Sequence, residues 1–226
     1  MFEHIVDRAR LVRDVPKVVI CTSTDPADDD LEHLARGKGV AVHRGSLEDK
    51  IERWLGAAAA HHVDYFVAYD GDDMFCDPEL MQLAVDQMTA APCDFLNLPQ
   101  GLVVGAAAVC VSVQALRRVA AMAPHGVDHA WTYFTESGAF DVKNLDVPDP
   151  VFFDHHIRLT LDYEEDLLFF RTVFRELRID HNRIPVRDIL LFLKDRPDIA
   201  AINWFRQMDY LENQRKLTRF ARPYKD

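Results

Sequence analysis

Helical and strand-like segments alternate through the first 90 residues, and this alternation limits the fold more than any other feature. A helical pattern over residues 2–13 precedes the buried-strand run VVICTST, and further helical patterns separate it from VAVHRG and YFVAYD. Strands that are joined by crossover helices lie parallel in one sheet. The sequence therefore predicts an α/β fold with an open, mostly parallel sheet and flanking helices.

Two of these helices carry recognisable start signals. Ser46, with Asp49 three residues later in the place of the usual glutamate, predicts a capping box before KIERW. Asp77 followed by Pro78 predicts an N-cap and first helical residue for the helix after the third strand.

The pattern changes after residue 93. Short apolar runs surround one helical pattern near residues 114–122, which predicts antiparallel strands in FLNLP, AAVCVSV, FDVKNL and IRLTLD. The run YEEDLLFFRTVFREL predicts a long helix, and we expect it to close a domain that spans residues 1–186. Residues 187–226 are expected to add a C-terminal extension of two helices, of which the last is basic.

Composition excludes several classes of function. Asp and Glu number 37 against 26 Lys and Arg, and the resulting net charge of −11 argues against a nucleic-acid-binding face. The most apolar run, LVVGAAAVCVSVQAL, is too short to span a bilayer, so no membrane segment is expected. The four cysteines are far apart and lack any C-x-x-C pair, which predicts reduced thiols in a cytoplasmic protein.

Acidic residues gather where the third predicted strand ends. Asp70, Asp72 and Asp73 follow YFVAY directly, and ligands of open α/β sheets bind beyond the carboxyl ends of the strands. Close carboxylates repel one another and are costly to desolvate, and Mg²⁺ with phosphate oxygens and water would compensate for both effects. Asp162, at the end of the predicted strand RLTLD, is a second and distant candidate.

Local alternatives exist for each of these residues. Asp162 followed by YEED also fits a helix N-cap, with Glu165 in the capping-box position. Each single acid of the DGDD loop also fits a solvated turn residue. Arg44 fits either a surface charge or a bidentate anion clamp at a strand end. No G-x-S-x-G nucleophile elbow occurs, so nothing in the sequence indicates a serine hydrolase.

Four stretches together resemble a known family. VVICTSTDPADDD, VHRGSLEDKIERW, DGDDMFCDPEL and RLTLDYEEDLLFF stand in the order and approximate spacing of the cytidylyltransferases that make CMP-sugars, above all the spore coat polysaccharide biosynthesis type. The similarity runs from residue 2 to about residue 178. It implies a GT-A-like nucleotide-diphospho-sugar transferase fold, a homodimer, and transfer of CMP from CTP to an acidic sugar with release of pyrophosphate.

The resemblance also assigns roles to residues. It implies Mg²⁺ held by Asp72, the aspartate of the G-D motif, and by Asp162, and we expect these two to carry catalysis. The strand-end loops add four candidates for contacts with the nucleotide, namely Thr22, Ser23, Arg44 and Asp70.

Two departures from the family pattern stand out. The family has proline two residues after the motif aspartate, whereas this chain has Asp73-Met74. The family also begins with an internal strand and a basic, glycine-containing loop for the triphosphate, whereas MFEHIVDRAR matches the helix that follows. We therefore expect unpaired ladders on two strands and poor CTP binding by these residues alone, with Met1 either an internal methionine or the start of a truncated form.

Two other functions remain open at the level of sequence. Asp70-Gly71-Asp72 also fits the D-x-D metal motif of a GT-A glycosyltransferase that uses a finished nucleotide sugar. A non-catalytic domain that binds a sugar or a partner protein is the third reading.

Overall fold

The computed structural model describes residues 2–15, 17–122, 131–154, 156–179 and 184–220, with side chains up to residue 214. The helices are α1 (Phe2–Ala9), α2 (Asp29–Gly37), α3 (Lys50–His61), α4 (Pro78–Ala90), α5 (Val113–Met122), α6 (Trp131–Glu136), α7 (Glu164–Glu176), α8 (Val186–Asp195), α9 (Pro197–Trp204) and α10 (Gln207–Phe220). The strands are β1 (Val19–Ser23), β2 (Ala41–Gly45), β3 (Tyr65–Ala68), β4 (Phe95–Asn97), β5 (Val109–Ser112) and β6 (Val142–Asn144).

The strands form two sheets. β1 and β2 pair in parallel, with Thr22 opposite Arg44, and the second sheet has the order β3-β5-β4-β6. Within the second sheet β5 is antiparallel to β3 and β4, while β4 and β6 are parallel. The α/β class, the parallel pairing near the N-terminus and the antiparallel pairing of β5 in the second half are thus confirmed. Two pairings differ from the prediction: β3 pairs with β5 and not with a strand of the first sheet, and β6, in FDVKNL, runs parallel to β4.

Helix α3 connects the two sheets. Its Trp54 meets Phe66 of β3 edge-on, with 5.7 Å between ring centroids, and belongs to the same apolar cluster as Cys21 of β1. In the described part of the chain, β1 is hydrogen-bonded to β2 alone and β3 to β5 alone. Within the described ranges, β1 and β3 are thus edge strands of their sheets.

The main core reaches into the C-terminal region. Ile189 and Leu190 of α8 and Ile199 of α9 are buried in the same apolar cluster as Phe169 and Phe170 of α7. The described part of the predicted two-helix extension contains three helices, because the chain turns at Arg196-Pro197 and again after Trp204. The domain boundary at residue 186 stays a prediction, and residues 221–226 of the basic tail lie outside the described residues.

The first residues of α3 and α4 are set by side-chain hydrogen bonds to backbone N–H groups, and one of the two predicted starts is wrong. Asp77 caps α4 as predicted, since its carboxylate accepts the N–H of Glu79 at 2.7 Å. The predicted start of α3 at Ser46 is wrong: Asp49 caps the helix by accepting the N–H of Glu52 at 2.9 Å. The Ser46 hydroxyl instead accepts the N–H of Asp49 at 3.0 Å and shapes the turn before the helix.

The predicted strand IRLTLD is also wrong as a regular strand. Its only ladder contact among the described residues is an isolated bridge between Val104 and Arg158. Further along, the N–H of Leu161 binds the carbonyl of Asp72 at 3.0 Å. The segment satisfies its backbone groups with two different loops, and this brings its end to the acidic turn after β3.

The cysteine thiols and the apolar character of the helices are both subjects of prediction. All four cysteines are free thiols, and Cys76 and Cys110 are buried. Across the described ranges, no helix has the length and apolar character needed to cross a membrane.

Candidate active site

A tight turn after β3 gathers the acidic side chains. The N–H of Asp73 binds the carbonyl of Asp70 at 3.3 Å, and the N–H of Met74 binds the carbonyl of Asp72 at 3.0 Å. Met74 and Phe75 are buried in the core directly after this turn and fix its position. The turn therefore holds three carboxylates between the end of β3 and two side chains that are anchored in the core.

Asp162 reaches this turn through a close backbone passage. The N–H of Leu159 binds the carbonyl of Val104 at 2.9 Å, next to Gly105, whose φ is +82°. A Cβ atom on Gly105 would lie 2.3 Å from the carbonyl oxygen of Leu159 and 3.0 Å from Oδ1 of Asp73. Glycine is required here both by the backbone conformation and by the close approach. This passage, together with the bond from the Leu161 N–H to the Asp72 carbonyl at 3.0 Å, brings Asp162 beside the turn that holds Asp72.

Charge repulsion marks the cluster. Burial raises the pKa of Asp72, and the nearby Asp70 and Asp162 raise it further. Burial raises the pKa of Asp73 well above its ordinary value, and repulsion from Asp72 and Asp70 adds to that effect. These carboxylates resist holding several negative charges together unless a cation joins them.

Asp162 does not cap the following helix. The carboxylate of Asp166 accepts the N–H groups of Asp162 and Tyr163, each at 2.9 Å, and so takes the capping role that Glu165 was given in the alternative reading. The carboxylate of Asp162 instead accepts bonds from the guanidinium of Arg158 and from the hydroxyl of Thr160, the latter at 3.2 Å.

A buried polar network supports Asp162 from behind. Arg158 has no exposed surface, and its guanidinium bonds Asp166 through Nε at 3.1 Å and Gln207 through Nη1 at 3.2 Å. Asn203 donates to Asp166 at 2.8 Å. Sequence reasoning missed this network because Asn203 and Gln207 lie 37 and 49 residues from their partners Asp166 and Arg158 in the chain.

Tyr210 of α10 also faces the cluster. The guanidinium carbon of Arg158 lies 4.5 Å from the centre of the Tyr210 ring. Burial raises the pKa of Tyr210 to about 12, and the negative charge of Asp73 contributes to the rise. The first turn of α10 is therefore part of the wall of the site, which no sequence signal indicated.

The acidic cluster fits a magnesium ion held together with a nucleotide. Its donors are hard carboxylate oxygens, and Mg²⁺ usually takes one or two carboxylates together with substrate phosphates and water. Among the described residues, no group of three or more His, Cys, Asp or Glu side chains forms a preformed metal site. A magnesium site at Asp72 and Asp162 stays a prediction, in which phosphate oxygens and water would complete the coordination.

Thr22 and Ser23 occupy the carboxyl end of β1. The carboxylate of Asp28 accepts bonds from the Thr22 hydroxyl at 2.8 Å and from the Ser23 N–H at 2.9 Å. It also accepts the Ser23 hydroxyl, and these bonds together lower the pKa of Asp28. The predicted nucleotide contacts of Thr22 and Ser23 stay predictions, and their hydroxyl protons are engaged within the loop.

Arg44 is held by its own protein neighbours. Its guanidinium donates to the carbonyls of Ser23 at 2.8 Å and Asp25 at 2.6 Å, and to the carboxylate of Glu32 at 2.8 Å. Asp29 takes a further bond, and these contacts raise the pKa of Arg44. An anion-binding role for Arg44 stays a prediction, and it would have to compete with these bonds.

We expect Arg44→Lys to lower the free energy of unfolding, because an ammonium group cannot reproduce the planar fork that Arg44 presents to its neighbours. If Arg44 also contacts an anionic ligand, nucleotide affinity falls beyond what the loss of stability explains. Urea unfolding and calorimetric titration of the folded variant with nucleotide measure the two effects separately. Arg36→Lys is the control, because Arg36 pairs with the same Glu32 while its side chain is 74% exposed. Full retention of nucleotide affinity in Arg44→Lys would contradict the bidentate ligand role.

Comparison with known proteins places this site in context. A spore coat polysaccharide biosynthesis protein, SpsF of Bacillus subtilis, is 26% identical over 193 residues, which cover 84% of this chain and 79% of that protein. An uncharacterized protein of Methanocaldococcus jannaschii is 24% identical over 216 residues, which cover 94% of this chain and 87% of that protein.

Two solved structures share the fold. A cytidylyltransferase from Leptospira borgpetersenii superposes with a TM-score of 0.79 at 21% identity, over 88% of this chain and 84% of that one. A CMP:2-keto-3-deoxy-manno-octonic acid synthetase complexed with CTP superposes with a TM-score of 0.58 at 12% identity, over 77% and 87% of the two chains. The family model described as Cytidylyltransferase matches residues 1–216, and the chain therefore belongs to the cytidylyltransferase family.

Proposed function

We propose that this nucleotidyltransferase transfers CMP from CTP to an acidic sugar for the biosynthesis of a surface polysaccharide. The observation that carries the proposal is the convergence of Asp72 and Asp162 at the ends of two distant segments, in a chain that belongs to the cytidylyltransferase family. The named relatives add the substrate class, since one acts in spore coat polysaccharide biosynthesis and another is a synthetase that was solved with CTP.

The reaction needs positioning and charge more than covalent chemistry. The anomeric hydroxyl oxygen of the sugar attacks the α-phosphorus of CTP in line, the bond to the β-phosphate bridging oxygen breaks, and pyrophosphate leaves with the electron pair of that bond. The hydroxyl proton is lost to water. Mg²⁺, when bound, offsets the charge that develops on the phosphate oxygens. Asp72 and Asp162 would hold the ion, while the Arg158 network keeps Asp162 in place.

We further propose that the protein acts as a cytoplasmic homodimer. Four free thiols suit a reducing compartment, and CTP is a cytoplasmic metabolite. The resemblance to CMP-sugar synthetases supports the dimer, which sedimentation of the purified chain would test.

Pyrophosphate release tests the proposed function directly. The purified protein is incubated with Mg²⁺, an acidic sugar such as 2-keto-3-deoxy-manno-octonic acid or an N-acylneuraminate, and one of the four nucleoside triphosphates. Because the sequence predicts poor CTP binding by these residues alone, the nucleotide is supplied in large excess. We then expect sugar-dependent pyrophosphate release with CTP and at least about tenfold less with the others. Release of free nucleoside diphosphate from a nucleotide sugar would instead favour a glycosyltransferase that uses Asp70-Gly71-Asp72. Silence in both assays would favour a non-catalytic binding domain.

A further inference from the structure

Lys50, the first residue of α3, lies beside the acidic cluster. Its ammonium group is 3.0 Å from Oδ1 of Asp70, and its side chain is 21% exposed. The first turn of a helix is the end at which a cation is electrostatically disfavoured, because the backbone dipoles place partial positive charge there. A lysine at this position therefore needs a compensating reason, such as a ligand or a nearby acid.

Two tryptophans lie beside the ammonium group of Lys50. Nζ of Lys50 lies 4.7 Å from the Trp54 ring centre and 6.0 Å from that of Trp131. The two indoles stack on each other with centroids 5.0 Å apart and planes 25° apart. Trp131 also stacks on the fully buried Phe95, with 5.3 Å between centroids. The ammonium group is thus supported by a rigid aromatic wall and presented to the acidic cluster.

Two other cations, Arg158 and Arg44, are each bound by several protein groups. The guanidinium of Arg158 is fully buried and bonds Asp162, Asp166 and Gln207. Arg44 is also bound by two carboxylates, those of Asp29 and Glu32. Lys50 has one hydrogen-bonded partner among the described contacts, Asp70, and that carboxylate is itself 44% exposed. Of these three cations, Lys50 can exchange its partner for a ligand at the least cost.

We propose that Lys50 binds a phosphate oxygen of the nucleotide, with Asp70 as the residue that positions it in the free protein. This inference rests on the proposed function in so far as the ligand is a nucleoside triphosphate. A bound triphosphate would bring several negative charges next to the acidic cluster. A cation at the edge of that cluster would offset part of this charge alongside the metal ion. Nucleotide binding would draw the ammonium group from Asp70 to the phosphates.

Lys50→Met tests the proposal, because methionine keeps an apolar stem against the tryptophans and removes the charge. Calorimetric titrations with cytidine, CMP and CTP, each in the presence of Mg²⁺, give affinity as a function of phosphate number, and titrations with ATP and UTP give the base preference. We expect Lys50→Met to weaken CTP binding by about 10- to 100-fold, the range of a charge-assisted hydrogen bond, and to leave cytidine binding unchanged. Lys50→Arg keeps the charge and should stay within about fivefold of the unmodified protein.

Lys38→Met is the matched control. Lys38 also pairs with an aspartate at 3.0 Å, and its side chain is 24% exposed, but its partner Asp7 belongs to α1 and not to the acidic cluster. The control should bind CTP normally. Equal losses for cytidine and CTP in Lys50→Met, or no loss for CTP, would overturn the proposal, as would a lack of any phosphate-dependent binding in the unmodified protein. Phosphate-dependent binding that favours ATP or UTP over CTP and still requires Lys50 would refute the proposed base preference while upholding Lys50.

Discussion

Asp72→Asn and Asp162→Asn should each abolish Mg²⁺-dependent nucleotide binding, with a loss in affinity of at least about 100-fold. The reason is that, in the proposed site, each carboxylate would supply one charged ligand to an ion whose electrostatic contribution is worth several kcal/mol, and each 1.36 kcal/mol corresponds to a factor of ten. Titration of each folded variant with CTP, with and without Mg²⁺, measures the effect. Binding that stays Mg²⁺-dependent and unweakened in either variant would refute the pairing of these two aspartates.

Stability provides the control for this loss. The pKa of Asp72 is raised in the folded protein, so its contribution to stability is complete at low pH and falls as the pH rises through that raised value. Asparagine removes this ionisation, and Asp72→Asn should therefore be at least as stable as the unmodified protein at neutral pH without metal. Asp64→Asn is the matched variant, because Asp64 is exposed at the opposite end of β3 and should leave both binding and stability unchanged.

The second large effect concerns folding. Arg158→Met should lower the free energy of unfolding by about 3–5 kcal/mol, because it leaves the fully buried Asp166 without its cation. That is a large part of the roughly 5–15 kcal/mol that stabilises an ordinary domain. Urea unfolding followed by circular dichroism gives the change in free energy.

Two further variants serve as controls for Arg158→Met, one at a surface arginine and one that removes both buried charges. Arg175→Met removes an arginine that is 73% exposed and should change stability by less than about 0.5 kcal/mol. Combining Arg158→Met with Asp166→Leu removes both buried charges and should recover part of the loss. Recovery stays incomplete, because Asp166 also accepts the N–H groups of Asp162 and Tyr163 at the start of α7. A loss below 1 kcal/mol for Arg158→Met alone would show that the network contributes little.

The sequence by itself determined the type and order of most elements. Periodicity and caps are local properties, so the helix over Pro78–Ala90, with Asp77 as its cap, and the strands Val19–Ser23 and Ala41–Gly45 could be predicted from short windows. The acids after β3 could be identified in the same way, since a run of carboxylates directly after an apolar strand is unusual within a few residues. Family resemblance then linked Asp72 to Asp162 across 90 residues of chain.

Only the tertiary structure decided which neighbours each side chain has. The pairing of β3 with β5, and the loss of a regular strand in IRLTLD, follow from hydrogen bonds between segments that lie far apart in the chain. Asp166 took the capping role because its carboxylate reaches two N–H groups, and Arg44 became engaged because α2 brings Asp29 and Glu32 to it. Lys50 acquired its place beside Asp70 through the packing of α3 across both sheets. A local pattern specifies what a segment prefers, whereas long-range contacts select which of its charges meet.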